Sequence, residues 1–240
     1  MIVIPMAGRS QRFLSAGYLS PKFMLDLHGE SVFAHAVRSF QEYFWSETFL
    51  FIHADDLEVA AFVRQECGRL GVRNLLTCGV GATAGQADTV ALGLDRWQVA
   101  PDEPLTIFNI DTFRPGFTFP GGRFKDADGW LEVFRGSGPN WSYVEPARGP
   151  EPRVLRTAEK QEISELCCTG LYHFARNRDF RAALAAERLA PQAKELYVAP
   201  LYNHLIGQGA HIAWRQVERR QVVFCGTPAE YEALERAPRR

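Results

Sequence analysis

Lysine is almost missing from this chain: four residues, at positions 22, 125, 160 and 194, stand against twenty-three arginines. A compact ammonium kept where arginine is otherwise preferred marks a place that needs a point charge; the competing explanation is codon preference with four chance survivors. Excess charge of either sign is missing too. The formal net charge is −1, which excludes nucleic acid or an anionic membrane surface recruited by bulk charge, so any phosphate must be gripped by a local site. No apolar run is long enough to span a bilayer. The opening Met1–Met6 is too short for the core of a secretory signal, and Pro5 and Gly8 break it. The five cysteines (67, 78, 167, 168 and 225) are odd in number and form no C-x-x-C pair, which argues against a disulfide framework or a zinc knuckle. Free thiols in a reducing cytoplasm are expected. Internal repeats and low-complexity tracts are absent as well.

What is present is an ordinary globular composition, 46% apolar and 23% charged over 240 residues, enough to bury a core without staples. The first half alternates. "MIVIPM", "TFLFIH", "VRNLLTC" and "PLTIFNID" are short apolar runs of the kind that form buried parallel strands. Between them "SVFAHAVRSFQEYF", "LEVAAFVRQECGRLG" and "AGQADTVALGLDRW" carry helical spacing, the second closed by Gly71. Such alternation predicts a parallel sheet with helices on both faces. The second half predicts antiparallel strands in "GWLEVFRG", "WSYVEPA" and "RVLRTAEK", a strand in "ELCCTGLYHFAR", and helices in "DFRAALAAERLA" and "YVAPLYNHLIGQG". Short strands "HIAWRQV" and "QVVFCG" precede a last helix capped by Thr227 with Pro228 at its first position.

Ligands of open parallel sheets bind at the carboxyl ends of the strands. Two loops there carry chemistry. After the first strand come Ala7-Gly8-Arg9-Ser10-Gln11-Arg12 and then Pro21-Lys22, a glycine turn with cations that could cradle a polyphosphate. It is neither G-x-G-x-x-G nor a Walker loop, and a solvated surface turn competes with the functional reading. After the fourth strand comes Asp111, placed to hold a divalent cation on a nucleotide phosphate or else to cap a turn.

In combination these segments resemble the sugar-phosphate nucleotidylyltransferase family. Gly8-Arg9-Ser10-Gln11-Arg12 and Pro21-Lys22 resemble its opening loop, and Gly85-Gln86-Ala87 its base-reading helix start. Asp111 stands at its metal position. "AEKQEISELCCTGLYHF" resembles its Glu-Lys and Thr-Gly-Leu-Tyr-x-Phe pattern, and "CGTPAEY" the start of its last helix. Within the family, "IFNIDTFRP" and "LCCTGLY" resemble the capsular CTP:phosphoglutamine cytidylyltransferases.

The resemblance implies an α/β, GT-A-like Rossmann nucleotidyltransferase fold, with a mostly parallel central sheet, helices on both faces and a smaller mixed acceptor lobe. It implies one domain over residues 1–240, nucleotide-binding in 1–112 and acceptor-binding in 113–240. Its chemistry is transfer of a nucleoside monophosphate, from CTP or alternatively UTP or dTTP, to a phosphorylated small-molecule acceptor in capsule or surface-polysaccharide biosynthesis, with Mg²⁺ on Asp111. Arg12, Lys22, Asp111 and Lys160 take catalytic roles. Ala7, Gly8, Arg9, Ser10, Gly85 and Gln86 bind nucleotide, and Glu159, Lys160, Thr169, Gly170 and Glu195 bind acceptor. A homodimer is the commonest prior for assembly.

Two positions depart from the family pattern. The second loop glycine is Ser10, and the second metal carboxylate is replaced by Phe224, with Glu195 and Asn203 as candidate substitutes. Two other functions stay open: a glycosyltransferase on the same fold, which would prefer Asp-x-Asp to Asn109-Ile110-Asp111, and a non-catalytic nucleotide-binding subunit. His173 and the aromatics Trp130, Phe134, Trp141 and Tyr143 read as packing residues.

Overall fold

The computed structural model describes residues 1–238. The first half runs β1 (Ile2–Met6), α1 (Gln11–Ser15), β2 (Asp26–Leu27), β3 (Glu30–Ser31), α2 (Val32–Val37), β4 (Thr48–Ala54), α3 (Leu57–Leu70), β5 (Asn74–Val80), α4 (Gln86–Arg96), β6 (Leu105–Phe108) and β7 (Thr112–Phe113). The second runs β8 (Gly129–Arg135), β9 (Ser142–Pro146), β10 (Val154–Glu159), β11 (Leu166–Phe174), α5 (Asn177–Leu189), α6 (Leu201–Gly207), β12 (Ile212–Gln216), β13 (Val223–Phe224) and α7 (Pro228–Arg236).

Among the described residues, nine strands form one sheet whose main path is β10-β9-β11-β6-β1-β4-β5, with β8 on β11 and β12 on β8. The pairs β1–β4, β1–β6 and β4–β5 are parallel, so the central part is the expected α/β sheet. β11 joins it antiparallel to β6, and β9–β10 is antiparallel in turn. Alternation along β1 divides the core. Ile2, Ile4 and Met6 enter one cluster with α2 and α3 residues such as Val37 and Val63, while Val3 enters the other with Val90 and Leu94 of α4. Because β1 lies between β4 and β6, strand order reverses at β1/β6, which opens a crevice at their carboxyl ends.

Local chemistry sets the helix limits. The Asp56 carboxylate accepts the N–H groups of Glu58 and Val59 at 2.8 and 3.2 Å, and Gly71 at φ 84° ends α3. Thr227 and Glu230 close a reciprocal capping box on α7. Two expectations need correction. The helix read through "SVFAHAVRSFQEYF" is α only to Val37 and continues as a 3₁₀ turn with a kink at Phe40 (φ −111°, ψ 24°). Phe40 is fully buried, its ring 5.0 Å from Phe108 and 4.9 Å from Phe117, and this packing overrides helical periodicity. The strand read through "PLTIFNID" stops at Phe108, leaving Asn109–Asp111 as a turn.

Candidate active site

The loop after β1 and the turn after β6 meet in the crevice. Lys22 Nζ lies 2.5 Å from Asp111 Oδ2, across 89 residues of sequence, with both side chains 21% exposed. Ser10 connects the opening loop to the same place, its hydroxyl accepting the Lys22 backbone N–H at 3.3 Å. Ser10 sits at φ 48°, ψ 36°, a left-handed conformation that a glycine would adopt without strain. The loop is anchored from behind by Phe13, which is buried against Tyr18 and Tyr231 with ring centroids 5.4 and 6.3 Å away. Gly8, Arg9 and Arg12 are exposed, and neither arginine forms an ion pair among the described residues.

The turn carrying Asp111 is held from several sides. The Asp111 carbonyl accepts the Cys225 N–H at 2.8 Å, and β13 pairs with β7 beside it. Burial pushes the nearby Cys225 thiol up to about 12. Three residues on, Arg114 is buried and donates to Glu132 at 2.8 Å, while its backbone N–H donates to Ser39 Oγ. Burial raises the Glu132 carboxyl above its ordinary value, although Arg114 opposes this.

The start of α4 forms a second wall. Gly85, at φ 143°, has no room for a side chain: a Cβ would stand 2.6 Å from Leu196 N and 2.7 Å from Leu196 O. The Ala87 N–H donates to Leu196 O at 2.8 Å and the Leu196 N–H to Ala84 O at 3.0 Å, so segment 195–197 is tied to this helix. Gln86 Nε2 donates to Asn109 Oδ1 at 2.6 Å.

On the far side, Lys160 adopts φ 56°, its N–H donates to Trp141 O at 2.9 Å, and its Nζ meets the Tyr197 hydroxyl at 2.5 Å. That hydrogen bond raises the Lys160 pKa. Glu159 accepts from the Ser142 hydroxyl, and burial raises its carboxyl. It also borders an open groove of about 380 Å³ with Thr157, Gln161, Gln192 and Asn203. Lys160 and Ser10 are two of the four non-glycine residues with positive φ among the described residues, and strain of this kind concentrates at functional sites.

A chain similar to this one throughout is the nucleoside-diphosphate-sugar pyrophosphorylase from Vibrio cholerae RC9, 46% identical, with a TM-score of 0.92 over 99% of this chain and 100% of that one. The chain belongs to the nucleotide-sugar pyrophosphorylase family. It is therefore a nucleotidyltransferase enzyme with the GT-A-like fold. Fold likeness extends to the inositol-1-phosphate CTP transferase from T. maritima (13% identity, TM-score 0.73, 97% of this chain and 94% of that one). It extends also to the UTP-bound UGPase from Acinetobacter baumannii (14%, 0.71, 98% and 91%). No family model and no curated protein matches the chain.

In this pyrophosphorylase-family chain the residues singled out from sequence fall apart into several places. Lys22 contacts both Asp111 and Ser10, Gly85 and Gln86 lie at the start of α4, and Glu159 and Lys160 lie together on the far side. Thr169 is set apart: it is buried, its hydroxyl donates to the Glu132 carbonyl at 3.3 Å, and it lines no open surface. Glu195 is exposed beside Tyr197. Asn203 is engaged elsewhere, its amide bonded to the Thr157 backbone and to Gln192. Phe224 packs 4.5 Å from Trp141 and 5.2 Å from Phe134, under the Arg219 guanidinium. His173 is a packing residue, bonded to Thr106 and stacked on Trp130, and burial pushes it down to about 4. Among the described residues no three His, Cys, Asp or Glu side chains converge as a metal cluster. Asp111 still fits Mg²⁺ as a single protein ligand: its Oδ1 makes no hydrogen bond among the described residues, and this ion is commonly held by one or two carboxylates with phosphate oxygens and water. Asn109, Ser142 and Tyr197 hydrogen-bond the candidates Gln86, Glu159 and Lys160, and sequence reasoning did not single them out for this. Only topology brings them to their partners.

Proposed function

We propose that this nucleotidyltransferase transfers the nucleoside monophosphate of CTP, ahead of UTP or dTTP, to a phosphorylated small-molecule acceptor, for capsule or surface-polysaccharide biosynthesis in the cytoplasm. The observation that carries the proposal is the Lys22–Asp111 contact at the switch-point crevice, 2.5 Å long and formed by the two loops expected to grip a triphosphate. The preference for CTP rests on the resemblance of "IFNIDTFRP" and "LCCTGLY" to capsular cytidylyltransferases. A two-fold dimer belongs to the same proposal and is checked by light scattering.

A phosphate monoester is already an anionic nucleophile at neutral pH, so no general base is needed. Its oxygen attacks the α-phosphorus in line. A new P–O bond forms, the bond from the α-phosphorus to the bridging oxygen breaks, and pyrophosphate leaves with the electron pair. Catalysis then consists of positioning and charge neutralisation. Lys22 sits at the α-phosphate, where charge develops. Arg12, the Gly8 backbone and the neighbouring Ala7, Arg9 and Ser10 hold the β and γ phosphates. Lys160 draws in the acceptor phosphate against the repulsion of the triphosphate, with Glu159, Gly170 and Glu195 around the acceptor. Gln86 reads the base beside Gly85. Asp111 would hold Mg²⁺, which when bound supplies further neutralisation of phosphate charge.

The test is pyrophosphate release from CTP, UTP and dTTP against a panel of phosphorylated acceptors. Stoichiometric pyrophosphate with a nucleoside-diphosphate-linked product supports the proposal. Nucleotide binding without pyrophosphate from any combination refutes it.

A further inference from the structure

Asn109 stands where three chain segments meet: its own turn, β11 and the start of α4. Its backbone N–H donates to Gly170 O at 3.0 Å, and its carbonyl accepts the Thr112 N–H at 3.3 Å. Its side chain lies flat on Gly170, where a Cβ would stand 2.5 Å from Asn109 Nδ2 and 2.7 Å from Cγ. Gly170 is at φ 92° within the irregular stretch of β11, so the space for this amide exists because the strand bulges there without a side chain. Asn109 Oδ1 then accepts Gln86 Nε2 at 2.6 Å. Gln86 makes no other side-chain hydrogen bond among the described residues, and its backbone is fixed by the Gly85–Leu196 contact.

A free glutamine amide can turn over and exchange its oxygen for its nitrogen, so it suits either of two mirror-image hydrogen-bond patterns. Cytosine and uracil present such a pair: an amine donor beside an acceptor nitrogen in one, a carbonyl acceptor beside a donor N–H in the other. With Nε2 bonded to Asn109, the Gln86 oxygen has no hydrogen bond among the described residues; it can accept from the cytosine amine, whereas against the uracil carbonyl it would face a second acceptor. Resting on the assignment of Gln86 to the base, we propose that Asn109 is a positioning residue for nucleobase choice, which fixes the Gln86 amide with its oxygen forward and so converts a permissive contact into one that separates cytosine from uracil. Because Asn109 is two residues before Asp111, one short turn serves both base choice and phosphate chemistry.

The test is the ratio of CTP to UTP affinity, measured by calorimetry with magnesium present, in the wild type, Asn109→Ala, Asn109→Asp, Gln86→Ala and the Gln86→Ala/Asn109→Ala double variant. Asn109→Ala is expected to pull the ratio about five- to tenfold toward unity, the loss expected for one orienting hydrogen bond. Asn109→Asp still accepts from Gln86 and keeps the ratio, although its added charge weakens both nucleotides. In the Gln86→Ala background, Asn109→Ala changes the ratio no further, whereas a merely structural role would give the same change in both backgrounds. Where the alanine variant does not fold, Asn109→Ser, too short to reach Gln86, replaces it. A wild type without cytosine–uracil preference, an unchanged ratio in a folded alanine or serine variant, or an aspartate variant that behaves like alanine overturns the proposal. Binding is read without an acceptor, so a failure here is separate from a failure to release pyrophosphate.

Discussion

Lys22→Ala and Asp111→Asn separate turnover from stability. At 2.5 Å and an effective dielectric constant near 20, the Coulomb attraction of the pair is about 7 kcal/mol before desolvation is charged against it. Each side chain keeps 21% exposure, so the net loss on removing one partner lies between the figures for surface and buried pairs, about 1–3 kcal/mol. For a domain of this size that is a fall of roughly 2–6 °C in Tm. Turnover should respond differently: on the proposed roles, Lys22 meets charge that grows at the α-phosphate in the transition state and Asp111 would hold the Mg²⁺ that offsets it, so each substitution should cost about 10²-fold or more. The same contact makes nucleotide and metal interdependent. On the proposed roles, a triphosphate that draws Lys22 away would free the Asp111 carboxylate for magnesium. Thermal scanning should therefore show little stabilisation by magnesium alone and a larger rise with magnesium and CTP together, about 2.7 kcal/mol at a hundredfold excess over Kd. In Lys22→Ala, magnesium alone should stabilise more than in the wild type. Near-normal turnover in both variants, or equal stabilisation by magnesium with and without nucleotide, would refute this reasoning.

Three further outcomes are expected. Gly85→Ala forces a methyl into the Leu196 backbone at an unfavourable φ and should cost about 2–4 kcal/mol in urea unfolding, with segment 195–197 released; a loss under 1 kcal/mol would show that the helix start yields freely. Ser10→Ala keeps the left-handed strain but loses the bond to Lys22 and should destabilise by about 1 kcal/mol, whereas Ser10→Gly loses both and should stay within about 1 kcal/mol of wild type; the reverse order in denaturant midpoints would contradict the geometry. His173, held down at about 4 by burial, is protonated first in the unfolded chain, so its contribution is complete above about pH 6.5 and is lost as pH falls towards 4. That contribution is of the order of 3 kcal/mol, and His173→Gln should flatten stability against pH over this window; an unchanged slope would exclude His173 as its source.

The strand–helix alternation of the first half, the last helix with its Thr227 cap, and the placement of the Lys22 and Asp111 loops at one edge of the sheet were all legible in the sequence, because each is written in local periodicity, cap chemistry or motif order; the ion pair between them was not. Contacts between distant segments were not. Gln86–Asn109, Lys160–Tyr197 and Gly85–Leu196 join residues whose neighbourhood is decided by which strand lies beside which. Thr169 illustrates the opposite error. As part of a motif it suggested a pocket, but strand alternation turns its side chain inward to Glu132. The kink at Phe40 shows the same limit for helices, since one buried ring among Phe49, Phe108 and Phe117 outweighs the helical pattern.

The amide of Asn203 has a consequence for how copies of the chain meet. β10 ends the main strand path, and its Thr157 N–H and C=O are both taken by Asn203, at 2.8 and 3.0 Å. One side chain thus does at that point what an adjoining strand would do, and it blocks sheet extension there. Continuous edge-to-edge pairing of two copies through Thr157 would have to displace this amide, and Asn203→Ala should leave that N–H and C=O without their side-chain partner, which light scattering followed over time would read as slow association.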